Sequence, residues 1–290
     1  MSWPTFVPAL ALTALSLVLA RRPLPLHPSW SSRLLLVIAV TTAFTAISTI
    51  TLVAAVFVAG LLPADLVAAS VKGRLLIGHG PVNPVMGSAA CAMLVVGASR
   101  SAWLLWRQHG ERLRLADTGV VDDDRPFALA LPGPGGGVVV SQGLLRLLSR
   151  EQMQVVFRHE HSHLRHRHHL YTTAGAIAAR LFPPLAAVEA ALRLSVERWA
   201  DEDTAAAVGD RALVAHTIAE VALANPAPSP TWHPALAGSH VLLRVHALLG
   251  DAPSTNPIVG PALLSGTGVA TSGMASSALQ LHHAASLLLI

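Results

Sequence analysis

The residues whose types and spacing can do chemistry lie near the middle of the chain, in the stretch His159-Glu160-His161-Ser162-His163. Residues four apart share one face of a helix, so His159 and His163 can present two imidazoles to one metal ion. Glu160 can then hold and deprotonate a water molecule in an open position of that metal. The pattern favours a zinc ion that activates water for hydrolysis.

The crowding of histidines in this stretch leaves a second interpretation open. A His-rich segment that scavenges metal, or a solvated basic surface, would have a similar composition. We interpret the additional histidines as basic surface near lipid headgroups; they are His161, His166, His168 and His169.

A predicted helix around the pattern favours a site. Ser149 and Gln152 form a capping-box pattern at its start. Apolar residues follow at three- and four-residue spacing, and Glu160 lies on the same stripe. Because a carboxylate on a core-facing stripe costs stability unless it is paired or bound, Glu160 is expected to have a partner.

The composition indicates a membrane protein. Apolar residues make up 52% of the 290 residues and charged residues 12%. The net charge of +4 comes from basic residues beside apolar runs, so a lipid bilayer is an expected partner and nucleic acid is not. Cys91 is the single cysteine, which excludes an intrachain disulfide framework and a multi-cysteine zinc site.

Four apolar runs predict about four transmembrane helices, at residues 3–20, 34–62, 82–106 and 257–290. Arginines follow the first and third runs, and fewer basic residues separate the second from the third. The positive-inside rule therefore places both termini outside and the middle of the chain in the cytoplasm. The predicted organisation is a three-span region at 1–107, a cytoplasmic domain at 108–256 and a last span at 257–290 of a multi-pass plasma-membrane protein.

The cytoplasmic domain contains a predicted pair of strands and a predicted helical hairpin. Residues 127–131 and 138–141 are strand candidates around a Gly- and Pro-rich turn. Such a strand could hold an extended peptide by edge addition, or belong to an ordinary hairpin. Residues 170–194 are apolar, but each half is too short to span; we predict a hairpin with Pro183 and Pro184 at its tip, in or along the membrane interface.

A third protein ligand is needed for the proposed metal, and Glu197 is the natural candidate. Asp201 shares its helix face one turn on and can accept a hydrogen bond from a ligating histidine. Acidic pairs mostly lie on solvated helix faces, so this pair alone does not indicate a metal site. It does so only in combination with the histidine pattern. Other candidates are less suitable, because they lie in apolar segments or lack such a partner: Cys91, Glu189, Glu202 and Asp203.

These motifs resemble integral-membrane zinc peptidases of the beta-lactam-sensor and signal-transducer type, the HtpX-like heat-shock type and the CAAX prenyl type. The resemblance covers roughly residues 127–248 and rests on the stretch 138–145, the histidine pattern and Glu197-x-x-Ala200-Asp201. The span layout looks most like the beta-lactam-sensor branch. Those sensors carry a penicillin-binding domain after the last span and this sequence stops at Ile290, so antibiotic sensing is not implied.

The resemblance implies a mainly α membrane protein with a cytoplasmic α+β zincin-type domain and one Zn²⁺ per chain. His159, His163 and Glu197 would bind the ion, with Glu160 as catalytic base. His233 and Pro234, with Arg244 downstream, are similar to an HtpX-like element whose histidine lies beside the substrate. His233 would then help to stabilise an oxyanion; a plain turn residue before a proline is the alternative.

The predicted function is a membrane-embedded endopeptidase acting on a peptide or protein. A cytoplasmic repressor and a misfolded membrane protein are the candidate substrates, which correspond to regulated proteolysis and membrane-protein quality control. The alternative is a non-proteolytic membrane sensor or scaffold with a structural metal site of four protein ligands. Glu160 argues against it, because a structural site has no use for a base.

Overall fold

A computed structural model of the protein describes residues 6–22, 26–69, 81–116, 118–224 and 234–254, together with six isolated positions. Within these residues the protein is mostly helical with one small sheet, which confirms this part of the predicted fold class. His233 lies outside the described residues. So does the predicted span at 257–290, apart from four of the isolated positions.

The described residues form ten α-helices and three β-strands. The helices are α1 (Val7–Arg21), α2 (Pro28–Leu61), α3 (Ala64–Ala68), α4 (Pro84–Leu115), α5 (Gln142–Leu147), α6 (Arg150–Arg165), α7 (His168–Leu181), α8 (Ala186–Val208), α9 (Arg211–Ala224) and α10 (Pro234–Leu249). The strands between α4 and α5 are β1 (Val120–Val121), β2 (Ala128–Leu131) and β3 (Gly137–Ser141). A short 3₁₀ turn, Pro183–Leu185, joins α7 to α8.

Two of the described helices, α2 and α4, are long and apolar enough to cross a membrane. They contain 34 and 32 residues, more than the roughly 20 that span a hydrocarbon core. They coincide with the second and third predicted spans. The first predicted span corresponds to α1, which has only 15 residues, so a full crossing there stays a prediction.

A core cluster joins α2 to the helical hairpin formed by α7 and α8. Ile38 of α2 packs with Val188 and Leu192 of α8, and all three side chains are fully buried. Gly175 permits the close approach of α7 to α8, since a Cβ there would lie 2.7 Å from Leu192 Cδ2. The hairpin has Pro183 in its connecting turn, at the position that the sequence predicts. It returns the chain to α6, where the histidine pattern lies.

The three strands form a sheet in the order β1-β3-β2, with β1 parallel and β2 antiparallel to β3. The sequence does not predict β1, whose two residues are too few to show an alternating pattern. The N–H of Ser141 donates to the carbonyl of Phe127 at 3.0 Å. Because paired groups alternate along antiparallel strands, the backbone groups of Ala128 and Ala130 point away from β3. β2 therefore has an edge that no other described strand covers, its open edge.

A second core cluster holds α6 against the helices that follow it. Val155 of α6 packs with Ala205 of α8, Val214 of α9 and Leu248 of α10. Arg211 at the start of α9 pairs with the buried carboxylate of Glu202 and also donates to the carbonyls of Ala247 and Leu248. These bonds fix the end of α10 relative to α8.

Candidate metal centre

The helix α6 brings three of the predicted site residues together. Its first turn has the predicted capping box: Gln152 N–H donates to Ser149 Oγ at 3.3 Å, and Ser149 N–H donates to Gln152 Oε1 at 2.9 Å. This arrangement satisfies two N–H groups that the helix cannot pair internally. The register of α6 then places His159, Glu160 and His163 on the side facing α8 and β2.

The nitrogen and oxygen atoms that could bind a metal converge in a small space. His159 Nε2 lies 3.1 Å from His163 Nε2 and 3.5 Å from Glu197 Oε2. His163 Nε2 lies 3.7 Å from Glu197 Oε1. One ligand atom from each residue falls within 4.8 Å of the others. Zinc bound tetrahedrally at about 2.0–2.1 Å separates its ligands by about 3.4 Å, so this donor set fits one zinc ion.

Asp201 determines which ring nitrogen of His159 faces the metal position. Its Oδ1 lies 3.2 Å from His159 Nδ1, and its side chain is only 2% exposed. With the proton held on Nδ1, the lone pair of Nε2 is directed towards Glu197 and His163. A carboxylate behind a ligating histidine is a common support of metal sites. The structure thus places Asp201 where the sequence predicts it.

Arg244, from α10, clamps both carboxylates. Its Nε and Nη2 donate to Asp201 Oδ2 and Oδ1 at 2.8 and 2.7 Å, and its Nη1 lies 3.0 Å from Glu197 Oε2. Burial would raise the pKa of Glu197, but the His159 hydrogen bond and the Arg244 charge outweigh it and lower that pKa. The Arg244 hydrogen bonds likewise overcome burial and lower the pKa of Asp201. Both groups are therefore ionised before any metal binds.

The two histidines of the donor set have opposite proton affinities in the absence of metal. Burial disfavours the charge on His159, but hydrogen bonds to Asp201 and Glu197 outweigh it and raise its pKa to about 10. Burial, with the charge on His159, lowers the pKa of His163 to about 4. His163 is thus a neutral donor at neutral pH, whereas a metal must displace a proton from His159.

Glu160 lies between the donor set and the open edge of β2. Its carboxylate accepts a hydrogen bond from the backbone N–H of Ala130, one of the groups that points away from β3. Burial raises the pKa of Glu160, and the nearby Glu197 charge adds to this rise. A carboxylate with a raised pKa is a better proton acceptor near neutral pH than an exposed one.

The interpretation of the additional histidines as basic surface is wrong for His168. Its side chain is 1% exposed and its ring centroid lies 4.7 Å from that of Trp199. Its Nδ1 lies 3.0 Å from His163 Nδ1, so it supports His163 as Asp201 supports His159. Arg167, which has a left-handed backbone conformation with φ 54°, separates α6 from α7 and reverses the direction of the chain between them. His166 is partly buried too and pairs with Asp203 at 2.7 Å.

The structure therefore assembles His159, Glu160, His163, Glu197 and Asp201 in one place, while His233 lies outside the described residues. Their roles stay predictions from sequence and geometry. The sequence does not predict three contacts that support the site: the ion pairs of Arg244, the contact of His168 with His163 and the hydrogen bond from Ala130 to Glu160. Of these, only Arg244 had a sequence signal, as part of the resemblance around His233.

Residues 112–233 of the chain match the family model for peptidase family M48, a family of metallopeptidases. The chain is also 40% identical over 62 residues to a protein named Protease HtpX homolog from Thermodesulfovibrio yellowstonii. That stretch is 21% of this chain and 22% of the relative, so the match spans about a fifth of each. No solved structure matches the chain. These findings confirm the resemblance to HtpX-like membrane peptidases, and the likeness of the span layout to beta-lactam sensors stays a prediction.

Proposed function

We propose that the protein is a membrane-embedded, zinc-dependent endopeptidase. The observation that carries this proposal is the convergence of His159, His163 and Glu197 within 4.8 Å, with Glu160 beside them at the open edge of β2. The match to peptidase family M48 over residues 112–233 supports it independently. A bound zinc ion would polarise a carbonyl oxygen and lower the pKa of a water molecule towards about 7.

Glu160 is the proposed proton carrier of the reaction. It takes a proton from the water that attacks the scissile carbonyl carbon, and it passes that proton to the leaving amine nitrogen as the C–N bond breaks. One water is consumed, and one carboxyl and one amine product form. Arg244 and Asp201 keep the donor set in place through this transfer, because both are bonded to it and buried.

The open edge of β2 is the proposed binding surface for the peptide backbone. The backbone groups of Ala128 and the carbonyl of Ala130 point out from that edge, and an added strand can hydrogen bond to them. Ala130 also donates to Glu160, so a peptide on this edge lies beside the base. The position of this edge beside the base supports edge addition over an ordinary structural hairpin. His233 is proposed to stabilise the oxyanion, on the resemblance alone.

The alternative function, a sensor or scaffold with a structural four-ligand metal, would need a fourth protein ligand. The neighbouring histidines are the residues that could supply this fourth ligand. In the described residues, His168 is instead bonded to the outer nitrogen of His163, and His166 is paired with Asp203. Neither belongs to the group of atoms that converges on the metal position. The arrangement supports a three-ligand site with an open position.

Removal and return of the metal tests the proposed function. The purified protein, loaded with one zinc per chain, is expected to cleave a denatured membrane protein internally. A chelator is expected to stop cleavage, and added zinc to restore it. Fragment sizes on a gel give the readout, and circular dichroism checks that the chelated protein remains folded. A zinc-loaded, folded protein that cleaves no unfolded substrate would count against the proposal.

We propose a multi-pass location in the plasma membrane, with the domain at 108–256 in the cytoplasm. The apolar helices α2 and α4 and the arginine distribution support this orientation. A cytoplasmic repressor or a misfolded membrane protein would then be accessible as substrate. A phosphatase that is active only outside the cytoplasm is expected to work when fused after Leu62 and to fail after Leu115. Activity after Leu115 would reverse the proposed orientation.

A further inference from the structure

A cavity of about 520 Å³ lies at the end of β2, between the β2–β3 turn and the junction of α6 and α7. The turn between β2 and β3 forms one wall, with Leu131 and Gly133. The junction of α6 and α7 forms the other, with Leu164, Arg167 and Leu170. Leu164 directly follows His163, and Leu131 directly follows Ala130. The cavity therefore borders the end of β2, one residue beyond Ala130.

The cavity combines apolar walls with positive charge. Arg167 and His169 line it, and none of the described residues in its lining is acidic. The guanidinium of Arg112, from α4, lies against Gly133, where an added Cβ would overlap it. Burial lowers the pKa of His169, and the charges of Arg112 and Arg167 lower it further.

The two arginines have no carboxylate partner within the described part of the chain. Some other arginines of the domain do have one, since Arg146 pairs with Asp124 and Arg211 with Glu202, but none of these lines the cavity. Arginine guanidinium groups bind carboxylates through two parallel hydrogen bonds, with planar geometry. An anionic group that enters the cavity would meet Arg167 in its lining, with Arg112 lying against Gly133 of its wall.

We propose that this cavity is a substrate subsite that takes an acidic side chain, glutamate above all, from a peptide lying along β2. The proposal rests on the proposed peptidase function. The aliphatic part of glutamate would contact Leu131, Leu164 and Leu170, and its carboxylate would reach Arg167 and Arg112. Gly133 is three residues beyond Ala130, about 10 Å along a strand. The bound side chain therefore belongs to a residue two or three positions from the cleaved bond.

The test uses a peptide that the zinc-loaded protein cleaves, with Glu, Gln or Lys placed in turn at each of three positions on both sides of the cleaved bond. At one of these positions, wild type is expected to prefer Glu over Gln by about tenfold or more in kcat/KM, the size expected for charge-assisted hydrogen bonds. Arg167→Gln is expected to bring that ratio close to one. Arg167→Glu is expected to favour Lys there.

Arg165→Gln is the matched control, because Arg165 is an exposed arginine of α6 that does not line the cavity. It is expected to keep the wild-type preference. Cleavage without any preference for Glu, or an equal loss for all peptides in Arg167→Gln, would overturn the subsite while leaving the peptidase function intact. If no peptide is cleaved, the peptidase function fails, and fluorescence anisotropy of labelled Glu and Gln peptides still measures whether the cavity discriminates between them.

An anionic lipid headgroup offers similar chemistry and is a separate outcome of the experiment. Binding of a fluorescent short-chain phosphatidylglycerol to the detergent-solubilised protein is compared for wild type, Arg167→Gln and Arg165→Gln. If Arg167→Gln alone loses lipid binding and keeps the Glu preference, the cavity is a lipid site and the subsite proposal is wrong. If lipid binding is the same in all three proteins and the Glu preference falls in Arg167→Gln, the proposal is supported.

Discussion

Replacement of Glu160 by Gln is expected to reduce kcat by about 10²–10⁴-fold, the usual contribution of a general acid or base, and to leave the zinc content at one per chain. The amide of Gln cannot take a proton from water and pass it on. Glu160 is not one of the converging ligand residues, so the metal should stay. Single-turnover kinetics on one unfolded substrate and zinc analysis of the same preparations measure both effects.

The structure indicates that this replacement keeps the fold. The oxygen of a Gln amide can still accept the hydrogen bond from Ala130, so the contact between α6 and β2 is preserved. Glu151→Gln is the matched control, since Glu151 is an exposed residue in the first turn of α6. It is expected to cleave like wild type. Equal turnover by Glu160→Gln and wild type would remove Glu160 from the mechanism, and loss of zinc in Glu160→Gln would make it a ligand.

The parts of the site that the sequence predicts are those set by local spacing. The capping box fixes the start of α6, and the four-residue repeat of a helix then places His159 above His163. The same repeat puts Glu197 and Asp201 on one face of α8. Their approach to α6 follows from the hairpin, whose proline tip and apolar halves are visible in the composition. Short-range rules therefore account for most of the donor set.

The missed parts depend on contacts between distant residues or on one unusual backbone angle. Arg244 reaches Asp201 from 43 positions away, and no local pattern relates the two residues. His168 is buried because Arg167 adopts a left-handed conformation, which the type of that residue does not predict. Ala130 acts through its backbone, and the chemistry of its side chain gives no signal. These contacts come from tertiary packing, which overrides local preference.

Replacement of Glu197 by Ala is expected to remove zinc as well as activity. The variant keeps the two imidazoles but loses the carboxylate that completes the donor set. The loss of zinc affinity should therefore exceed about 10–100-fold, the usual effect of changing a residue that only supports a ligand. Arg244 keeps its two bonds to Asp201, so the helices around the site should stay packed. Zinc competition with a fluorescent chelator measures affinity, and thermal melting reports the fold.

Asp201→Asn is the informative companion variant. Asn can still accept a hydrogen bond from His159, but it removes the buried charge with which Arg244 pairs. We therefore expect zinc binding to weaken by about 10–100-fold and the folded state to become less stable. Glu189→Gln is the matched control on α8, because Glu189 is partly buried and ion-paired like Glu197 but lies two turns away from the donor set. It should bind zinc like wild type. Zinc that persists in Glu197→Ala but is lost in His166→Ala would show that the ion is held by the histidines of the α6–α7 junction instead.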